Sequence, residues 1–268
     1  MDQRSIGVFD SGLGGLTAVR ELKRVLPTEN IIYFGDTGRV PYGTRSDAAI
    51  VKYTRQDINF LKRFDVKMIL VACGTVSSVG LPVLREEYPG LPLIGVVESA
   101  SRAAAKATKN GKVAILGTNG TIRSGSYQAE LKRICPDVDA IGKACPMFVP
   151  LVENGYTDGQ VARLIVEEYL EEVLKFGADT IVLGCTHYPL LKKVISEVAG
   201  SDVTLIDVGA QAAHLVKEEL TERGMLAEED GSVSYYVSDN VENFATLGSL
   251  FLQCEIKEQV EKIDIERF

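Results

Sequence analysis

The chain has 268 residues, 46% of them hydrophobic and 25% charged, a composition typical of a soluble globular protein long enough for two domains. Its net charge of −8 argues against nucleic acid or an anionic membrane as the main partner, because neither attracts an acidic surface. A small anionic substrate stays open, since the field inside a cleft need not follow net charge.

The opening residues Met1-Asp2-Gln3-Arg4 run straight into a strand-like segment with no signal-peptide core. The longest unbroken apolar run, Met68 to Cys73, is far too short to span a bilayer. A cytoplasmic location is therefore expected. Apolar runs that read as strands occupy Ser5–Asp10, Asn30–Gly35, Val66–Ala72, Pro92–Val97, Lys112–Gly117, Asp137–Gly142, Ala178–Gly184 and Val203–Asp207. Amphipathic stretches that read as helices alternate with them, near 14–26, 46–63, 76–88, 99–109, 121–134, 157–175, 188–199 and 210–223. The segment 157–175 is the clearest helix, with Val161, Ile165, Tyr169 and Val173 beside a second row at Ala162, Val166, Leu170 and Leu174. Strands apolar along their whole length, joined by helices, indicate α/β architecture with largely parallel sheets covered on both faces. The tail from Val233 breaks the rhythm, with strands expected at Ser234–Ser238 and Cys254–Val260 around a helix.

Two segments 112 residues apart carry the same pattern. Phe64 to Thr75 reads FDVKMILVACGT, Phe176 to Thr186 reads FGADTIVLGCT, and one offset aligns Cys73 with Cys185 and Leu93-Ile94 with Leu205-Ile206. A repeat this long implies two similar doubly wound halves, each offering one cysteine at the same structural address. The expected division is a discontinuous first domain, 1–97 with 209–268, and a second domain, 98–208. A pseudo-two-fold axis between them would place the two thiols on opposite sides of one cleft. Two matched acid/base groups on opposite faces of a substrate are what a stereochemical inversion needs.

In open α/β sheets ligands gather at the carboxyl ends of strands. The first strand ends in Asp10-Ser11-Gly12-Leu13-Gly14-Gly15. A dinucleotide fingerprint would need glycine where Thr17 stands, and no P-loop lysine follows. The glycines suit backbone approach to a small anion, and Asp10 reads either as a buried carboxylate or as a cap for the next helix. Cys73 and Cys185 each sit where a strand hands over to a helix. Singly each reads as a buried structural thiol; the shared address makes them candidates for chemistry, with the helix dipole favouring thiolate. Thr75 and Thr186 add hydroxyls, and His187 can reach the same cleft. Cys135, Cys145 and Cys254 have no partners in the repeat and take structural roles, as does His214. The five cysteines read as free thiols, and without a Cys-x-x-Cys pair no metal centre is expected. The loop Asp36–Thr44, with Pro41-Tyr42-Gly43, could shape backbone donors for a carboxylate.

FDSGLGGLT, GDTGRVPYG, VACGT and LGCTHYPLL occur in that order, and together they resemble glutamate racemase, the cofactor-independent enzyme family that supplies D-glutamate for bacterial peptidoglycan. The resemblance covers essentially the whole chain. It implies two α/β domains with the active site between them, and Cys73 and Cys185 as the two acid/bases. It implies substrate contacts from Asp10, Ser11, Tyr42, Gly43, Gly74, Thr75, Thr186 and His187. Asp10 would assist Cys73, and His187 and Glu153 would assist Cys185. Gly74 departs from the pattern, which usually has Asn there to offer an amide to the bound amino acid. Losing one hydrogen bond to a charged group costs about 1.5–3 kcal/mol, so Gly74→Asn is expected to improve catalysis of glutamate turnover. Nothing in the sequence calls for pyridoxal phosphate or a metal. A racemase for aspartate or another amino acid, a non-catalytic amino-acid-binding protein and a thiol-redox protein are the competing readings, and a homodimer is left open.

Overall fold

The computed structural model describes residues 2–268. Its strands are β1 (Ile6–Asp10), β2 (Ile31–Gly35), β3 (Met68–Val71), β4 (Leu93–Gly95), β5 (Lys112–Gly117), β6 (Asp139–Ala144), β7 (Thr180–Leu183), β8 (Thr204–Asp207), β9 (Val233–Val237) and β10 (Val260–Lys262). They form two sheets, in the orders β10-β9-β2-β1-β3-β4 and β6-β5-β7-β8. Every strand pair is parallel, which fits the apolar strands and intervening helices. The order β2-β1-β3-β4 recurs as β6-β5-β7-β8, so the sequence repeat is a repeat of topology. Even the register matches: Ile69 pairs with Leu93 and Ile181 with Leu205. The helices that follow, Val96–Ala107 and Val208–Glu222, pack on one another between the halves.

Alternate residues of a strand face opposite sides of its sheet. Val8, Met68 and Leu70 accordingly enter a core that continues into the second sheet, whereas Phe9, Ile69 and Val71 enter a separate core on the other face of the first sheet. The tail joins the first sheet, with β9 beside β2 and β10 beside β9. The second tail strand lies at 260–262 rather than at 254–260. A parallel partner must start from the same end as β9, so the chain leaving the helix Val241–Leu252 first travels back along the sheet before it can pair. The expected helix at 121–134 is two helices, Asn119–Ser124 and Ser126–Ile134, parted by Gly125 in left-handed backbone (φ 63°). That at 76–88 divides into Gly74–Val79 and Leu81–Glu87, with Pro82 in the first turn of the second.

One buried charge was not visible in the sequence. The Lys67 ammonium, fully enclosed, meets Glu29 Oε2 at 2.5 Å and donates to the carbonyls of Asp2 and Met225, each at 2.7 Å. Glu29 also accepts from the Ala227 amide at 2.8 Å. This pair ties the N-terminal residues and the segment leading into β9 to the first sheet.

Candidate active site

The ends of β1, β3, β5 and β7 converge on a cavity of about 240 Å³ between the two sheets. Its walls include Ser11, the turn Tyr42–Thr44, Cys73, Gly74, Thr75, Glu153, Cys185, Thr186 and His187. Residues scattered over the two halves of the sequence thus meet in one place. Asp10 stands behind this wall rather than in it. It is 1% exposed, with Oδ2 accepting from the Gly12 amide at 3.0 Å and Oδ1 facing the Thr186 hydroxyl at 3.5 Å. It does not cap the next helix, whose N-cap is Gly15.

The two thiols hold matched positions in unlike surroundings. Cys73, 5% exposed, is the N-cap of the short helix Gly74–Val79, and its sulfur lies 3.5 Å from Ser11 Oγ. Burial, reinforced by the nearby Asp10 carboxylate, pushes its thiol up to about 12. The helix dipole does not make it a thiolate, contrary to expectation: desolvation outweighs what six residues of helix and an amide supply. Cys185, 7% exposed, has its sulfur 3.9 Å from His187 Nδ1, and His187 Nε2 lies 3.0 Å from Glu153 Oε1. Burial alone would lower the basicity of His187. The contacts to Cys185 and Glu153 overcome that and push it up to about 10. The His187 ring is also held edge-to-face against Phe251, centroids 5.0 Å apart. Cys73 therefore has an acidic neighbour in Asp10, and Cys185 a basic one in His187.

A sequence model of the Asp/Glu/Hydantoin racemase family matches residues 12–216. The chain is 45% identical to a glutamate racemase of Geobacter metallireducens over 254 residues, 94% of each protein. It is 43% identical to one of Neisseria meningitidis over 265 residues, covering 98% of this chain and 97% of the other. This chain belongs to the glutamate racemase family. Among solved members, glutamate racemase from Francisella tularensis in complex with D-glutamate superposes with a TM-score of 0.93 at 34% identity, over all of both chains. The enzyme from Thermus thermophilus in complex with beta-chloro-D-alanine gives 0.90 at 40% identity, again over all of both chains. An aspartate racemase of Picrophilus torridus, at 18% identity and a TM-score of 0.60, shares the fold.

Against the family pattern, Gly74 acquires a reason. A Cβ built there would lie 2.2 Å from the Gly184 carbonyl oxygen and 3.8 Å from Cys185 Cα. The residue after one catalytic-site cysteine thus rests on the backbone just before the other, and a side chain there requires a local shift of that backbone. This contact argues against the expectation that Gly74→Asn improves the enzyme. Gly14 plays a similar part, since a Cβ there would meet Thr186 Oγ1 at 2.2 Å and His187 Nδ1 at 2.5 Å. The glycine-rich loop makes room for the opposite half of the site.

Several cavity residues escaped the sequence reading. Thr118 Oγ1 hydrogen-bonds Thr75 Oγ1 at 3.0 Å and Thr121 Oγ1 at 3.1 Å, forming a chain of hydroxyls across the cleft. It follows β5 as Ser11 follows β1, so extending the strand-end rule to β5 would have found it. Cys145, assigned no role beyond structure, lines the cavity beside Pro146 and Val149; burial raises its pKa and keeps it a thiol. Cys135 and Cys254 lie elsewhere, and His214 is exposed on the helix Val208–Glu222.

Proposed function

We propose that this chain interconverts L- and D-glutamate without a cofactor, with the sulfurs of Cys73 and Cys185 as the two proton carriers. The observation that carries the reading is the pair of thiols from topologically equivalent strand ends, in one cavity, with opposite electrostatic partners. A two-base inversion needs one sulfur as thiolate and the other as thiol at the start. Here the His187 imidazolium provides the counter-charge for a thiolate at Cys185, while burial and Asp10 keep Cys73 protonated. Cys185 removes the Cα proton from one face, Cys73 delivers its proton to the other, and the opposite enantiomer runs the exchange in reverse.

Ser11, Thr75, Thr186 and the amides of the Tyr42–Thr44 turn supply donors for the two substrate carboxylates and for charge that develops on the α-carboxylate. Gly74 contributes backbone only. Glu153 holds the charge on His187, and Asp10 acts through Thr186 and Cys73 rather than by contact. The sequence identity of 45% to a curated glutamate racemase, against 18% to the aspartate racemase, supports glutamate as the substrate. The product would serve peptidoglycan synthesis, and the enzyme would work in the cytoplasm; no helix among the described residues is long and apolar enough to cross a membrane.

The test follows each enantiomer of glutamate by circular dichroism in D2O, with mass spectrometry of the separated enantiomers at low conversion. Both reactions should decay to zero rotation. Product should carry deuterium at Cα from its first appearance while remaining substrate stays protiated, because the delivered proton comes from a solvent-exchanged thiol. Substantial protium in the initial product would point to a single base and sink the two-thiol assignment.

A further inference from the structure

Behind the Tyr42–Thr44 turn lies a buried polar cluster that no proton-transfer step uses, and none of Asp36, Arg39 or Asp57 lines the cavity. The Tyr42 hydroxyl is in hydrogen-bond contact with Asp36 Oδ2 and lies 3.3 Å from Asp57 Oδ2. Both carboxylates are fully enclosed. Arg39 closes the cluster, with Nε 2.6 Å from Asp36 Oδ2 and Nη2 3.1 Å from Asp57 Oδ1. Its guanidinium lies 4.3 Å above the Tyr53 ring, which in turn packs on Tyr42 with centroids 5.4 Å apart. From outside, Arg39 is braced by Gln56 and, at 3.3 Å, by Glu266 in the C-terminal turn Ile265–Arg267.

The protons in this cluster can be counted. Two ionised carboxylates against one guanidinium would leave a net negative charge out of water, which burial penalises heavily. Tyr42 has a single O–H, yet carboxylate oxygens of both Asp36 and Asp57 face its oxygen. A proton on one of the two acids resolves both conflicts. Asp36, closer to Arg39, takes the ionic partner. Asp57 then donates to the Tyr42 oxygen, Tyr42 donates to Asp36, and Arg39 donates to both residues.

We infer that Asp36, Arg39 and a neutral Asp57, braced by Glu266 of the C-terminal turn, position the substrate-side turn Tyr42–Thr44 through the Tyr42 hydroxyl. Burial and the Asp36 carboxylate push Asp57 well above the usual carboxylate range, and Arg39 offsets this only in part. The turn matters because Gly43 sits against Thr118 of the other half, where an added Cβ would lie 2.9 Å from Thr118 Cβ. Its placement sets both the substrate donors and the fit of the halves. This inference rests on the assignment of the turn to glutamate binding.

The test compares Asp57→Asn, Asp57→Ala and wild type in steady-state glutamate racemisation and in infrared difference spectra at neutral pH. Asn can donate to Tyr42 and accept from Arg39 as the neutral acid does, so KM should stay within about threefold of wild type, whereas Ala should raise KM about tenfold with kcat far less affected. The wild-type spectrum should show a protonated-carboxyl carbonyl band that Asp57→Asn lacks. If Asn impairs KM as much as Ala, or no such band is lost, the neutral assignment is overturned. A wild-type KM in Asp57→Ala overturns the positioning role. Should that variant not fold, Tyr42→Phe removes the same link and should raise KM in the same way; an unchanged KM there has the same force. A wild-type protein that leaves glutamate unchanged would count against the proposed function, while the infrared comparison would still decide the state of Asp57.

Discussion

Gly74→Ala probes whether the two halves are held at the separation that the chemistry needs. The new Cβ would lie 2.2 Å from the Gly184 carbonyl oxygen, whereas carbon–oxygen contacts of this kind settle at about 3.3–3.6 Å. Both sides of the clash are backbone, one in the helix that Cys73 caps and the other just before Cys185, so no rotamer change relieves it. One of the two backbones must shift locally by about 1 Å. A misplacement of that size costs on the order of 10²-fold in rate, and kcat should fall by about that factor in both directions. Overpacking of one methyl should lower stability by only about 1–3 kcal/mol. Circular dichroism of the reaction from each enantiomer measures the first effect, and thermal unfolding of the same sample measures the second. Gly74→Asn should lose at least as much as Ala despite the amide it offers. An Ala variant with kcat within about threefold of wild type would refute the reasoning, because a 1 Å displacement at the reacting groups could not be that cheap.

Cys73→Ala and Cys185→Ala should each cut racemisation by about 10²–10⁴-fold or more while leaving the far-ultraviolet spectrum intact; Cys135→Ala and Cys254→Ala should stay within about threefold. Glu153→Gln removes the negative charge from one of the two contacts that raise His187, so its pKa should fall. The basic limb of the kcat/KM profile, expected near the wild-type His187 value of about 10, should move toward neutral pH, and an unmoved limb would remove Glu153 from the relay. Lys67→Ala leaves Glu29 buried without its cation and should cost about 3–5 kcal/mol in urea unfolding; a loss below about 1 kcal/mol would mean that water reaches the pair.

Much of this protein was legible in the order of its residues. Strands such as Ile31–Gly35 and Met68–Val71 are apolar throughout because both faces of their sheet are covered, and that alone indicates parallel strands between helices. The offset that aligns Cys73 with Cys185 revealed equivalent positions, since a repeated fold places equivalent residues at equivalent strand ends. What distinguishes the two cysteines was not legible in periodicity or repetition; only the family resemblance implied Asp10 beside Cys73 and His187 with Glu153 beside Cys185. The Cys185 side depends on His187 meeting a glutamate 34 positions away, and Asp10 reaches Thr186 across 176 positions. Local patterns carry no information about such contacts. Gly74 shows the limit most plainly: beside Cys73 it reads as a missing amide, but folded against Gly184 it is the residue that lets two backbones touch. Periodicity and repetition are local or self-similar properties, so a sequence displays them directly. Desolvation, counter-charge and steric closeness depend on which distant segments share a cavity, and only the tertiary structure decides that.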